Sequence, residues 1–306
     1  MNTAVLQPAG PAAQTIAGIS WLLILGAAVI LVGLMVLLGW ALRRHAPQLR
    51  AGRWIAACGV AFPAVVLAAL YAHTLPLSPS WRPVPPPGAL VIAVHGHMWW
   101  WEVRYPAEGS TSGFITANEI RIPTGRPVYL ALSSHDVIHS FWVPALAGKM
   151  DMVPGRLQHL LLSADQPGVY RGQCAEFCGE QHARMALHVV AEEPAKFDAW
   201  RQAQAQPAPT PSAQHAPGMR AFADHRCDAC HTVRGLTAES RLGPDLTHIG
   251  SRLFLGAGTL PNTQAALSHW VAHVQEVKPG ARMPSSHQRL DTATLGSVAG
   301  WLASLE

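Results

Sequence analysis

The stretch "QCAEFCGEQHARM", Gln173–Met185, decides how the middle of this 306-residue chain is read. It holds two cysteines, a histidine and a methionine, all donors for soft metal ions. A disulfide would use the cysteines alone. A zinc site prefers four Cys or His ligands and has little use for a thioether. A mononuclear copper site takes two His, one Cys and a weak Met, so this stretch carries one cysteine too many. A second thiolate can bridge a second copper, and Cys174 and Cys178 then read as two sulfurs shared by two metals. Each metal needs one more strong ligand. His182 is one; the other must come from elsewhere in the chain. "DVIHSFWVP", Asp136–Pro144, offers His139, with His135 just before it. The pair has the spacing of a helical zinc site, but Asp136 stands where that motif needs glutamate, and "VYLALSS" before it reads as a strand. His135 is therefore read as a surface or supporting histidine.

A site drawn from distant loops needs a fold that brings loops together. "ALVIAVHGHMWWWEV", "FITANEIRIPTGRPVYLALSS" and "LQHLLLSADQPGVYRGQC" are rich in Val, Ile, Tyr and Trp and are divided by Gly/Pro turns. They read as strands of a small all-β sandwich or barrel over residues 83–201, closed by a short helix at Glu193–Arg201. Upstream, Thr15–Leu42 carries no charge, and Trp54–Leu75 is nearly as apolar. Each is long enough to cross a bilayer as a helix. Pro63 predicts a kink in the second, which membrane helices tolerate. Arg43, Arg44, Arg50 and Arg53 lie between them with no acid, which places that loop in the cytoplasm and everything after Ser78 outside. Residues 1–82 thus form a transmembrane hairpin, and "PLSPSWRPVPPPG", Pro76–Gly88, a stiff stalk.

Charge excludes other classes. Pro83–Trp200 carries eight Lys/Arg against eleven Asp/Glu, and the chain from Pro217 onward eight against seven. The basic pI comes mostly from the one arginine loop, so nothing suggests a nucleic-acid partner.

"QAQAQPAPTPSAQHAP", Gln202–Pro217, is a low-complexity linker. Its composition predicts a tethered, swinging or loosely docked domain over 217–306, with helices at Gly218–His225, Asn262–Val274 and Asp291–Leu305. That domain opens on "CDACH", Cys227–His231, the attachment motif of c-type haem. Cys227 and Cys230 would form the thioethers and His231 would bind the iron. "KPGARMPS" supplies Met283 as sixth ligand, with His248, His269, His273 and His287 as rivals. A methionine ligand raises the reduction potential.

These motifs together resemble subunit II of the haem-copper cytochrome c oxidases. The family has an Asp-x-x-His-Ser-aromatic segment, a Val-Pro-Gly-Arg turn and Gln-Cys-x-Glu-x-Cys-Gly-x-x-His-x-x-Met. Here these are Asp136, His139–Phe141, Val153–Arg156 and Gln173–Met185. The resemblance implies a cupredoxin-like domain holding the dinuclear copper centre CuA. His139 and His182 would be terminal ligands, Cys174 and Cys178 bridges, Met185 a weak axial ligand and the Glu176 carbonyl its counterpart. The Glu176 side chain would help bind magnesium at the subunit I interface. "HGHMWWWEVRYP" matches the family's Gly-His-x-Trp-aromatic-Trp run and makes Trp99 the place where electrons come in. "GPDLTHIGSR" resembles the cytochrome c segment whose proline, here Pro244, accepts the N–H of the haem-binding histidine.

The whole arrangement resembles caa-type oxidases: transmembrane hairpin, all-β CuA domain and fused all-α cytochrome c domain. It implies a multi-pass protein of the bacterial inner membrane, with subunits I and III as partners. The donor would be a cytochrome bc complex, a soluble cytochrome c or similar. Electrons would pass by way of haem c and CuA to subunit I of a proton-translocating respiratory oxidase, for reduction of oxygen to water. The alternative is the electron-input subunit of a CuA-containing nitric oxide reductase. A copper chaperone would not need the haem motif, and a quinol oxidase subunit II lacks the copper ligands. Two departures stand out. Ala186 follows Met185 where the family often has proline, and "AGRWIAACG" carries Arg53 where many members have a glutamate. Cys58, on this helix, is read as a packing residue.

Overall fold

The computed structural model describes residues 6–43, 50–77 and 84–306. Arg44 and residues 78–83 of the proline-rich stretch lie outside them. The chain divides into two compact units, one of Gln14–Val84 and one of Met1–Ala13 with Pro85–Glu306.

The first of these units is helical. Helix α1 runs Pro11–Arg43; the second apolar segment, Ala51–Leu77, is also long and apolar enough to cross a bilayer. It comprises α2 (Ala51–Trp54), a π-helical stretch at Ile55–Ala61 and α3 (Phe62–Thr74). Pro63 lies just beyond the π-helical stretch. Its ring lacks an N–H and crowds the carbonyl four residues back, so the backbone widens its turn there.

The larger unit is built around two five-stranded sheets. Strands β1 (Leu90–His97), β2 (Trp100–Tyr105), β3 (Phe114–Ala117), β4 (Glu119–Pro123), β5 (Val128–Ser134), β6 (His139–Trp142), β7 (Met150–Met152), β8 (Gln158–Leu162), β9 (Gly168–Cys174) and β10 (Ala186–Glu192) succeed one another in chain order. One sheet is ordered β3-β2-β1-β5-β8 and the other β4-β10-β9-β6-β7. Strand β1 alternates buried and half-buried residues, and its inward Ile92 and Val94 meet Ile120, Ile122, Leu187 and Val189 of the other sheet in one core. Strand β10 breaks that alternation: every residue of Ala186–Glu192 is buried. Its outer face is covered by the C-terminal region, where Phe254 stacks on His188 at 4.2 Å. A strand covered on both faces reads as a continuous apolar run. Burial also pushes the His188 imidazole down to about 4.

Helix α4 (Pro194–Ala205) continues past Arg201 into the segment expected to be linker. The chain just beyond α4 is pinned to the rest of the unit. The Arg234 guanidinium donates to the carbonyls of Gln204 at 2.6 Å and Ala205 at 3.4 Å, and the Ala208 N–H donates to the Arg234 carbonyl at 2.9 Å. The C-terminal region holds α5 (Ala216–Asp224), α6 (Gln264–Val277) and α7 (Thr292–Ala303). Thr263 and Asp291 cap α6 and α7 by accepting from the N–H groups of Ala266 and Thr294. Phe222 of α5 meets Trp301 of α7 edge to face at 5.1 Å.

Tyr105 ties β2 to the second sheet. Its buried hydroxyl donates to the Arg121 carbonyl at 2.8 Å and accepts from the Arg121 N–H at 2.8 Å. Tyr105→Phe leaves both backbone groups without that partner. The expected cost is about 2 kcal/mol, seen as a lower urea midpoint at unchanged slope; an unchanged midpoint would show that these bonds carry no stability.

Candidate metal centre

Ladder register assembles the site. Strand β6 pairs antiparallel with β9, setting Phe141 opposite Cys174, so His139 at the start of β6 lies beside the end of β9. The Ala175 N–H donates to the Ser140 carbonyl at 2.9 Å and extends that contact. Strands β9 and β10 then pair through Gln173 and Ala186, and the Cys174 N–H donates to the Met185 carbonyl at 2.9 Å. The loop between them is thereby closed at its neck, with Cys178, His182 and Met185 inside it.

Among the described residues, one group of His, Cys or acidic donors lies close enough to share a metal. It comprises His139, Cys174 and Cys178, whose donor atoms are within 4.8 Å of one another. The two sulfurs are 3.7 Å apart. His139 Nδ1 lies 3.8 Å from Cys174 Sγ, and His182 Nδ1 lies 3.6 Å from Cys178 Sγ. Met185 Sδ is 3.8 Å from Cys178 Sγ, and the Glu176 carbonyl is 3.2 Å from Cys174 Sγ. Two ligands that each lie about 2.0–2.3 Å from one metal sit about 3.5 Å apart at a tetrahedral angle, so every one of these separations suits a shared ion. Each cysteine has its own histidine and its own weak donor. That is the donor distribution of two metals bridged by two sulfurs, and soft thiolate and thioether donors select copper.

Electrostatics prepare the donors. Cys178 hydrogen-bonds Cys174 and, with His139, holds the Cys174 thiol down to about 3; the same contact pushes Cys178 up. The pair shares one proton until a cation allows both to ionise. Burial raises the Asp136 carboxyl, but bonds from His139 and from the N–H groups of Met98 and Val137 outweigh it and hold it at about 2. Burial lowers the His139 imidazole, and the contacts with Asp136 and Cys174 more than reverse that. His139 Nε2–H donates to Asp136 Oδ1 at 2.8 Å, leaving Nδ1 aimed at the sulfurs as the ligand atom.

Several supports escaped the sequence reading. Asp136 was visible in the motif without its role. Gly96 of β1 lies against the His139 ring, where a Cβ would come within 2.7 Å of Cδ2. A glycine inside a strand pattern is the signal of such an approach. Of the three tryptophans, Trp101 is fully buried against His139 and Phe141, and Trp100 stacks on His97. Trp99 is only half-buried, and its indole N–H donates to the Cys178 carbonyl at 2.8 Å. His135 is exposed, 4.9 Å from the His97 ring. The Glu176 side chain is 45% exposed, so a partner surface can reach it.

A second cluster lies in the C-terminal region. His231 Nδ1–H donates to the Pro244 carbonyl at 2.8 Å, which leaves Nε2 as the ring's free donor atom. Gly243 makes room for that ring, since a Cβ there would lie 2.7 Å from Cε1. A cavity of about 590 Å³ is lined by Cys227, Cys230, His231 and Met283 together with Trp99. That is cofactor-sized. The His248 ring lies between two backbone carbonyls, with Nδ1 2.8 Å from that of Glu306 and Nε2 3.0 Å from that of Gln206, and His273 engages Glu276, so neither presents a free ring to this cavity. Asp136→Ala removes the acceptor that orients His139. Copper affinity should fall by about 10- to 100-fold in a chelator competition, with the unfolding midpoint little changed; unaltered affinity would deny Asp136 this role.

Residues 107–192 match the family described as cytochrome C oxidase subunit II, periplasmic domain. The cytochrome c oxidase subunit 2 of Alkalihalophilus pseudofirmus is 38% identical over 216 residues, 70% of this chain and 61% of that protein. That of a Bacillus species is 33% identical over 227 residues, 71% of this chain and 62% of its own length. This chain thus spans less than two thirds of the length of these relatives. The crystal structure of the periplasmic domain of subunit II of cytochrome oxidase of Bradyrhizobium japonicum is 30% identical, covers 40% of this chain and 96% of its own, and has a TM-score of 0.36. By its periplasmic domain at residues 107–192, the chain belongs to the cytochrome c oxidase subunit II family.

Proposed function

We propose that this chain is the electron-input subunit of a terminal oxidase. Its two apolar helices anchor it in the bacterial inner membrane with the β domain on the periplasmic side. The Cys227–His231 site would take electrons from an external donor, and the Cys174/Cys178 site would pass them towards subunit I for reduction of oxygen to water. The observation that carries this reading is the pair of sulfurs 3.7 Å apart, each flanked by its own histidine. When bound, a dinuclear copper at one site and a covalent haem c at the other would supply one-electron redox chemistry.

The chain's own residues do the rest. The buried walls of the copper loop exclude water: His139 is 0% and Met185 1% exposed. Asp136 fixes the His139 tautomer, and the Pro244 carbonyl fixes that of His231. Cys227 and Cys230 would carry the thioethers, and Met283, which lines the same cavity, would supply the iron's other protein ligand besides His231. The geometry favours a short crossing, because Trp99 lines that cavity while its indole N–H bonds the Cys178 carbonyl. The exposed Glu176 carboxylate supports a magnesium ion shared with subunit I, and the exposed Phe177 beside it offers an apolar contact for that partner.

The test is to purify the full chain from membranes with whatever subunits accompany it. Expected are covalent haem c, copper, a subunit I and oxygen consumption with reduced cytochrome c. Nitric oxide consumption in place of oxygen consumption would overturn the oxidase reading. Met283→Ala should shift the haem c spectrum away from that of a His/Met-ligated haem while the thioethers remain; an unchanged spectrum would assign the sixth position to another residue.

A further inference from the structure

The C-terminal region does more than lie beside the copper loop: it holds the backbone on both sides of Met185. Four hydrogen bonds pin the two peptide groups that flank this residue. Two come from the β domain itself. The Met185 N–H donates to the His182 carbonyl at 3.3 Å, and the Met185 carbonyl accepts from the Cys174 N–H at 2.9 Å. The other two come from the C-terminal region. Lys278 Nζ donates to the Arg184 carbonyl at 2.8 Å, and the Ala186 N–H donates to the Ala257 carbonyl at 3.0 Å.

Both outside contacts look built. Lys278 is 3% exposed and gives its other two protons to the carbonyls of Trp99 at 2.7 Å and Gly256 at 3.2 Å. A buried ammonium is tolerated only when its donors are used, and here all three are. Arg184 answers with a guanidinium bond to the Val277 carbonyl. The turn that presents the Ala257 carbonyl has three successive residues in the left-handed region: Gly256, Ala257 and Gly258, with φ of 60°, 60° and 80°. Ala257 holds that conformation without a glycine's freedom. Gly258 passes so close that a Cβ would lie 2.9 Å from that of Ala186. Ala186 itself is the residue that stands where the family often has proline. A proline has no N–H to give to Ala257, so this contact requires the departure.

We propose that the C-terminal region is fixed against the β domain by Lys278 and the Ala186–Ala257 bond, and that this docking positions Met185 in the metal centre. Lys278 is a positioning residue, acting on the thioether through the Arg184 peptide. The linkage to copper rests on the function proposed above; the docking does not.

The experiment uses the full chain with two variants, Lys278→Met and Ala186→Pro. In the metal-free chain, hydrogen exchange at the Ala186 amide should be slow in the wild type and at least about tenfold faster in Lys278→Met. In the copper-loaded chain both variants should keep the wild-type copper content but share an altered copper EPR spectrum. Lys278→Met is the cleaner variant, since proline at 186 also restricts the backbone of Met185, whose ψ of 68° lies outside the range favoured before proline. Equal exchange rates in wild type and Lys278→Met would overturn the docking. Faster exchange with unchanged EPR spectra in both variants would overturn the positioning of Met185. A wild-type chain that takes up no copper would instead overturn the copper reading, while amide exchange would still decide the docking.

Discussion

Two buried sulfurs held 3.7 Å apart cannot both carry negative charge without a cation between them. The structure is organised around that constraint. The β6–β9 ladder brings His139 to one sulfur, the neck of the β9–β10 loop holds His182 and Met185 at the other, and burial keeps water out. Their mutual contact favours the Cys174 thiolate and disfavours that of Cys178. With metal, the repulsion that would spread the loop becomes the attraction that closes it. The fold supplies the geometry in advance, so little reorganisation is left for the ions to impose.

The same constraint explains how the larger unit is joined. The relay proposed above would need its two redox sites near each other and held still. Here the C-terminal region covers the outer face of β10, the strand that starts directly after Met185. One lysine reaches Trp99, Arg184 and Gly256 at once. The first part of the segment at 202–216 is correspondingly tied down, by Arg234 on the Gln204 carbonyl and by His248 beside the Gln206 carbonyl. Its Ala/Gln/Pro composition suggests a swinging or loosely docked domain, because composition reports what a segment can do alone and not which carbonyls a distant arginine will hold.

Much of the metal centre was legible in sequence because ligand chemistry is local. Cys174, Cys178, His182 and Met185 lie in thirteen residues, and their types alone argue for soft metal. His139 needed the resemblance to separate it from His135. The strands were readable from Val, Ile and Trp with Gly/Pro turns, and a departure from regular α-helix near Pro63 from its missing donor. Contacts made through backbone atoms were not readable. Nothing in the residue Lys278 announces three carbonyl partners, and Ala186 looked like an unexplained change until Ala257 was seen opposite it. Gly96 was silent for the same reason: its meaning is the His139 ring that occupies the space of its absent side chain.

The claim on which the rest stands is that Cys174 and Cys178 bridge two metals. Copper content and EPR on the copper-loaded wild-type chain test it most directly. Two coppers per chain bound in the β domain, with hyperfine structure from one unpaired electron shared between them, is the expected result. A single copper there, with the hyperfine pattern of an isolated ion, would contradict it.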